Sequence, residues 1–118
     1  MIRLNCGLIA ETEEKRNKAI ALAKELVELS LHDEGCVEYD LYGSLTNTDR
    51  LMIYETWKDE ASLKAHMASA HFRRLVPEIE KVATLTLEQF NFWFYSSRDK
   101  VQTAWFLIAV CIFLLNLR

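Results

Sequence analysis

Residues 2–10 alternate Ile2, Leu4, Cys6 and Leu8 with Arg3, Asn5, Gly7 and Ile9, and this period of two predicts a strand with unlike faces. Asn5 falls on the face away from Ile2 and Leu4. Thr12 then offers a side-chain oxygen as a helix cap, with Glu13 and Glu14 in the first turn, where the positive end of the helix dipole favours acids. The pattern predicts a helix to about His32, with Ile20, Ala23, Val27 and Leu31 as its inward stripe and Lys15, Lys18, Lys24, Glu25 and Glu28 mostly in water. Asp33, Glu34 and Gly35 end it.

Two β-rich runs follow, CVEYDLYGSL and RLMIYETWK, joined by the turn formers TNTD. ASLKAHMAS reads as a short helix with Leu63 and His66 on one face. Ser69 caps a second segment in which Phe72, Leu75, Val76, Ile79 and Val82 keep helical spacing. Pro77 interrupts that segment and predicts a kink or a break into two helices, since proline removes a backbone donor and crowds the preceding turn. TLTLEQFNFWFY, residues 84–95, alternates again as a last strand, with Phe90, Phe92 and Phe94 on one side and Leu87 and Trp93 on the other.

The order strand, helix, strand, strand, helix, strand is the βαββαβ pattern of a ferredoxin-like α+β fold, a four-stranded antiparallel sheet with its helices on one face. Neither side of the last strand suits water, so the free sheet face is expected to pair with a second subunit. The chain has 118 residues, 51% of them apolar, enough for one core and one domain. We expect the domain to occupy residues 1–97 and the remainder, 98–118, to form an apolar tail.

Lys plus Arg number 14 against 17 Asp plus Glu, and the scattered basic residues argue against a nucleic-acid partner. Cys6, Cys36 and Cys111 are odd in number and widely spaced, which fits neither a disulfide framework nor a zinc site and points to reduced thiols in a cytoplasm. The N-terminus carries no export signal. Residues 104–115 are uninterruptedly apolar. A helix over 101–117 would reach only about 25 Å at ~1.5 Å per residue, short of a ~30 Å hydrocarbon core. Burial against this or another subunit is therefore preferred over a weak membrane anchor or a non-native extension.

His66 and His71 stand five apart, whereas two metal ligands sharing one helix face need a spacing of three or four. No metal site is expected. His66, behind Leu63, is placed facing the space between sheet and helices, where an imidazole can exchange protons near neutral pH. His71 fits a donor to a carbonyl or a neighbouring subunit. Trp57 reads either as packing or as the wall of a flat pocket. Tyr39, Tyr42 and Tyr54 read as packing residues with hydroxyls at the rim, and Ser62 and Ser69 lack any nucleophile constellation.

Together EGCVEYDLY, YETWKD and AHMASAHF resemble the antibiotic biosynthesis monooxygenase family over roughly residues 1–94. The strongest parts are Glu34-Gly35-Cys36, Glu55 with Trp57, and His66 with His71-Phe72. The resemblance implies a dimeric α/β barrel and a monooxygenase that oxidises a quinol or polyphenol with dioxygen and without metal, flavin or other cofactor. It implies His66 as base, Asn5 as polariser, and Trp57, His71 and Phe72 against the substrate. Ile53 stands where oxygenase members can carry an asparagine, and Val76 where haem-degrading relatives carry an axial histidine. The alternatives are a non-catalytic dimeric ligand-binding module and a proton-transfer isomerase acting on a small carbonyl compound.

Overall fold

The computed structural model describes residues 1–92. Within them the elements are β1 (Ile2–Ile9), α1 (Glu13–Ser30), β2 (Cys36–Gly43), β3 (Arg50–Trp57), α2 (Glu60–Met67), α3 (Ala70–Glu80) and β4 (Thr84–Asn91). The strands form one antiparallel sheet in the order β2-β3-β1-β4. This is the expected ferredoxin-like α+β arrangement. The part of the last strand beyond Phe92, including Trp93 and Phe94, and the apolar tail with Cys111 lie outside the described residues. Among the described residues no helix is long and apolar enough to cross a membrane.

Register decides which side chains share a face. β1 pairs with β3 so that Ile2 meets Trp57, Leu4 meets Glu55, Cys6 meets Ile53 and Leu8 meets Leu51. These residues form the helix-covered face, and Leu8, Leu26, Leu75 and Ile79 between the layers are each 1% exposed. Burying such a side chain contributes about 1.5–3 kcal/mol. On the other face Asn5 lies opposite Tyr54 and Glu88. There the Arg3 guanidinium rests 4.4 Å from the Tyr54 ring and 4.3 Å from the Phe92 ring, with Glu38 at 3.7 Å.

Three local expectations change. The buried stripe of α1 is Ala19, Ala23, Leu26 and Ser30, while Leu31 is exposed and Ile20 and Val27 only flank the core. Small side chains at the centre let the helix lie close to its neighbours, and the larger ones pack beside that line. Second, α3 runs through Pro77 to Glu80. The proline forfeits one bond near the C-terminal end, and burial of Leu75 and Ile79 on either side favours continuing the helix. The break between α2 and α3 falls at Ala68-Ser69, where the Ser69 cap was expected, and the Ser69 hydroxyl accepts from the Phe72 N–H at 3.2 Å. Third, Tyr39 is a core residue, 4% exposed, with its ring edge-on to Trp57.

Candidate functional site

The break at Ser69 matters for the histidines. His66 ends α2 and His71 begins α3, so helical spacing does not separate them. Both turn toward the segment that follows α1. His66 Nδ1 lies 2.7 Å and His71 Nε2 2.8 Å from Asp33 Oδ2. One carboxylate oxygen accepts from both rings, which fixes the His66 tautomer with its proton on Nδ1.

Asp33 reaches this place because Gly35 turns the chain. Its φ of +79° lies in the left-handed region, which glycine enters without the Cβ penalty. The Gly35 carbonyl then accepts from the Lys58 N–H at 2.8 Å, tying the turn to the end of β3. Asp59 caps α2 by accepting from the Ser62 N–H at 2.8 Å, and the helix carries His66 back over the sheet.

The other ring nitrogen of His66, Nε2, has no hydrogen-bond partner among the described residues. It faces Glu55 Oε2 at 3.8 Å. That oxygen accepts from the Trp57 indole N–H at 2.8 Å. The indole also stacks on the His66 ring, with centroids 4.5 Å apart. Burial, with no cation beside it among the described residues, raises the Glu55 carboxyl to about 7, and the Trp57 bond only partly offsets this. Burial likewise holds the His66 imidazole below its ordinary value, against the opposing pull of Asp33.

Glu55 and His66 open onto a cavity of about 240 Å³ between sheet and helices, otherwise lined mainly by apolar side chains such as Ile53, Leu63, Phe72 and Val76. No lysine or arginine is among its described lining residues. Cys6 also borders it, but burial raises both the Cys6 and Cys36 thiols to about 11, leaving them protonated and weakly nucleophilic.

The expected site residues are thus only partly brought together. His66 and Phe72 line the cavity. Trp57, fully buried, is not on its wall but behind it, holding Glu55 and backing His66. His71 likewise sits behind His66, on Asp33. Asn5 lies across the sheet from all of them, because odd-numbered residues of β1 face away from the helices. Its carboxamide oxygen is buried without a hydrogen-bond partner among the described residues.

Sequence reasoning gave no role to Asp33 or Glu55. Asp33 looked like a helix-ending acid, and no local pattern announces a partner 33 residues away. Glu55 carried a signal, since its place in the alternation of β3 puts a carboxylate on the buried face.

Asp33, His66 and His71 offer ligand-type atoms within 4.8 Å of one another. Ligands around a tetrahedral zinc at ~2.0–2.1 Å stand ~3.3 Å apart, so separations of 2.7 and 2.8 Å are those of hydrogen bonds rather than of a coordination shell.

The chain as a whole is similar to several known proteins. The chain is 33% identical over 75 residues to YcnE of Bacillus subtilis (strain 168), described as a candidate monooxygenase, covering 64% of this chain and 79% of that protein. A crystal structure from Bacteroides thetaiotaomicron VPI-5482, described as of unknown function and a possible oxidoreductase, shares 45% identity with a TM-score of 0.75 over 77% of this chain and 96% of that one. A conserved protein from Methanosarcina mazei Go1 shares 31% identity with a TM-score of 0.73 over 78% and 92%. The description antibiotic biosynthesis monooxygenase matches residues 9–78, more than half of the sequence. The chain therefore belongs to the antibiotic biosynthesis monooxygenase family.

Proposed function

We propose that the protein is a cofactor-independent monooxygenase that oxidises a small electron-rich aromatic, such as a quinol or polyphenol, with dioxygen. The observation carrying this reading is the buried His66 imidazole, whose Nδ1–H is committed to Asp33 while Nε2 has no hydrogen-bond partner among the described residues and sits beside a largely apolar cavity. An imidazole held in this way is a general base.

A ring hydroxyl in the cavity gives its proton to Nε2 and becomes an electron-rich oxyanion. This passes one electron to dioxygen, and the radical pair recombines as a carbon-bound peroxide. Loss of water leaves the oxidised ring, so one quinol and one dioxygen become one hydroxyquinone and one water. The protein's contribution is enclosure, orientation and a fixed proton acceptor. Pockets for drug-sized ligands hold ~300–1,000 Å³, and a 240 Å³ cavity suits a ligand of one or two rings. YcnE's description as a candidate monooxygenase supports the same reaction class. The polarising role expected of Asn5 has no place in this scheme, because the sheet stands between it and the cavity.

We also propose a homodimer that covers the helix-free sheet face, where Tyr42 and Phe90 are 51% and 48% exposed. The Glu55 carboxyl beside His66 favours a second reading, a proton-transfer isomerase on a small carbonyl compound, since both groups exchange protons without dioxygen.

The deciding experiment incubates the full chain with a quinol panel, with and without air. Oxygen uptake matched by hydroxyquinone formation is expected, and His66→Ala should lower kcat/KM about 10²–10⁴-fold. Uptake unaffected by His66→Ala would remove the base. Turnover of a carbonyl compound at equal rates with and without dioxygen would establish the isomerase instead.

A further inference from the structure

The reaction above needs more than a base. When the carbon-bound hydroperoxide breaks down, the proton on the oxygenated carbon must leave and the departing hydroxide must gain a proton to become water. His66 serves the first need. Glu55 is positioned for the second: its Oε2 lies 3.8 Å from His66 Nε2, it lines the same cavity, and it is only 6% exposed. The Trp57 indole N–H holds one of its oxygens at 2.8 Å. A carboxylate buried among leucines and isoleucines without a cation is costly unless a proton joins it.

We propose that Glu55 and His66 hold one proton between them, act as an acid–base couple on a neutral, proton-bearing aromatic ring, and exclude anionic ligands from the cavity.

The proton balance closes. The cycle begins with protonated Glu55 and neutral His66. His66 takes the ring hydroxyl proton and returns it to the peroxide anion. It next takes the proton from the oxygenated carbon while Glu55 gives its own to the hydroxide leaving as the O–O bond breaks. The couple now carries its single proton on His66, and transfer to Glu55 restores the start.

The groups that set the shared proton's position surround the pair. Asp33 and His71 lie on the Nδ1 side of His66, Cys6 comes from β1, Tyr39 and Cys36 from β2, and Glu80 from α3. Apart from the histidines these are acids or neutral groups. With the proton absent, the wall formed by the described residues is therefore negative or neutral. A carboxylate ligand would meet Glu55 in place of a counter-charge, whereas a phenol brings the proton that His66 can accept.

This inference rests on the proton-abstracting role of His66 proposed above, and the test separates the two. In the full chain, the His66 imidazole is titrated by heteronuclear NMR in the natural protein and in Glu55→Gln, which keeps an acceptor for the Trp57 N–H. The Glu55 carboxyl is followed in the same titration. With the proton resting on Glu55, its midpoint should lie near 7, the His66 ring should stay neutral through that transition, and the ring signals should show a chemical-shift step there that is absent from Glu55→Gln. A Glu55 midpoint in the ordinary carboxylate range, or identical His66 curves in the two proteins across that step, overturns the couple, whether or not quinol turnover is found.

The ligand class is read with 1-naphthol and 1-naphthoate. At pH 8, above the Glu55 value of about 7, binding of 1-naphthol at least tenfold more tightly than 1-naphthoate is expected, with the gap closing in Glu55→Gln. Equal binding of the two by the natural protein, or no binding of 1-naphthol, overturns the exclusion. Where quinol turnover is present, Glu55→Gln should lower kcat about 100-fold with little change in KM. An unchanged kcat would remove Glu55 from the cycle.

Discussion

At the scale of single residues the site is a contest between burial and pairing. His66 keeps its proton on Nδ1 because Asp33 accepts there, and the same carboxylate opposes the desolvation that lowers the ring's proton affinity. Asp33→Asn should therefore drop the His66 titration midpoint further and reduce turnover, as NMR titration and steady-state kinetics would show. An unchanged midpoint would mean that Asp33 holds the ring without tuning it. Glu55 gives a stability signature. Its native value near 7 exceeds the ordinary 4.5, so between those values the folded chain binds more protons than the unfolded one. The contribution is fully present below about pH 4.5 and is lost as pH rises through 7. The loss is on the order of 3 kcal/mol. Urea unfolding at pH 5 and pH 8 should show Glu55→Gln gaining on the natural protein by up to that amount. A gap independent of pH would place the carboxyl in water.

At the scale of elements, short connections do the positioning. Gly35 lets the chain leave α1 with Asp33 aimed at α2, and a Cβ at position 35 would run into the Ser62 side chain at the start of that helix. Gly35→Ala adds backbone strain to this clash, so we expect a loss of about 1–3 kcal/mol in urea denaturation. Displaced chemical shifts at His66 should accompany it. An unstrained, fully stable variant would show that the turn does not set the Asp33–His66 distance. The elements themselves were mostly legible: the alternation in β1, the Thr12 cap, the turn between β2 and β3, and the Ser69 cap all appear where pattern and capping chemistry put them. The fate of Pro77 was not, because propensity sees a missing donor and does not see the burial of Leu75 and Ile79 around it. The α1 stripe was misjudged for a related reason. Hydrophobicity selects the largest side chains, while close approach of two elements selects small ones.

At the scale of the whole molecule, the sheet has one face under helices and one that carries Tyr42, Tyr54, Met52 and Phe90 beside the Arg3–Glu38 pair. If a second copy covers this face, Phe90→Asp should turn a dimer into a monomer in sedimentation velocity, with the His66 titration retained. A dimer that survives the substitution would direct attention to other surfaces.

The order of strands and helices, the two unlike faces of β1 and the position of His66 behind Leu63 were fixed by local sequence, because periodicity and capping act over a few residues. The union of Asp33, Glu55, Trp57 and His66 was decided only by tertiary structure. It depends on strand register and on two helix ends meeting one turn, and the contacts to that turn alone join residues 33 and 38 positions apart. The same packing put Asn5 on the far side of the sheet and Trp57 behind the cavity rather than on its wall, since a side chain's neighbours are set by the layers around it.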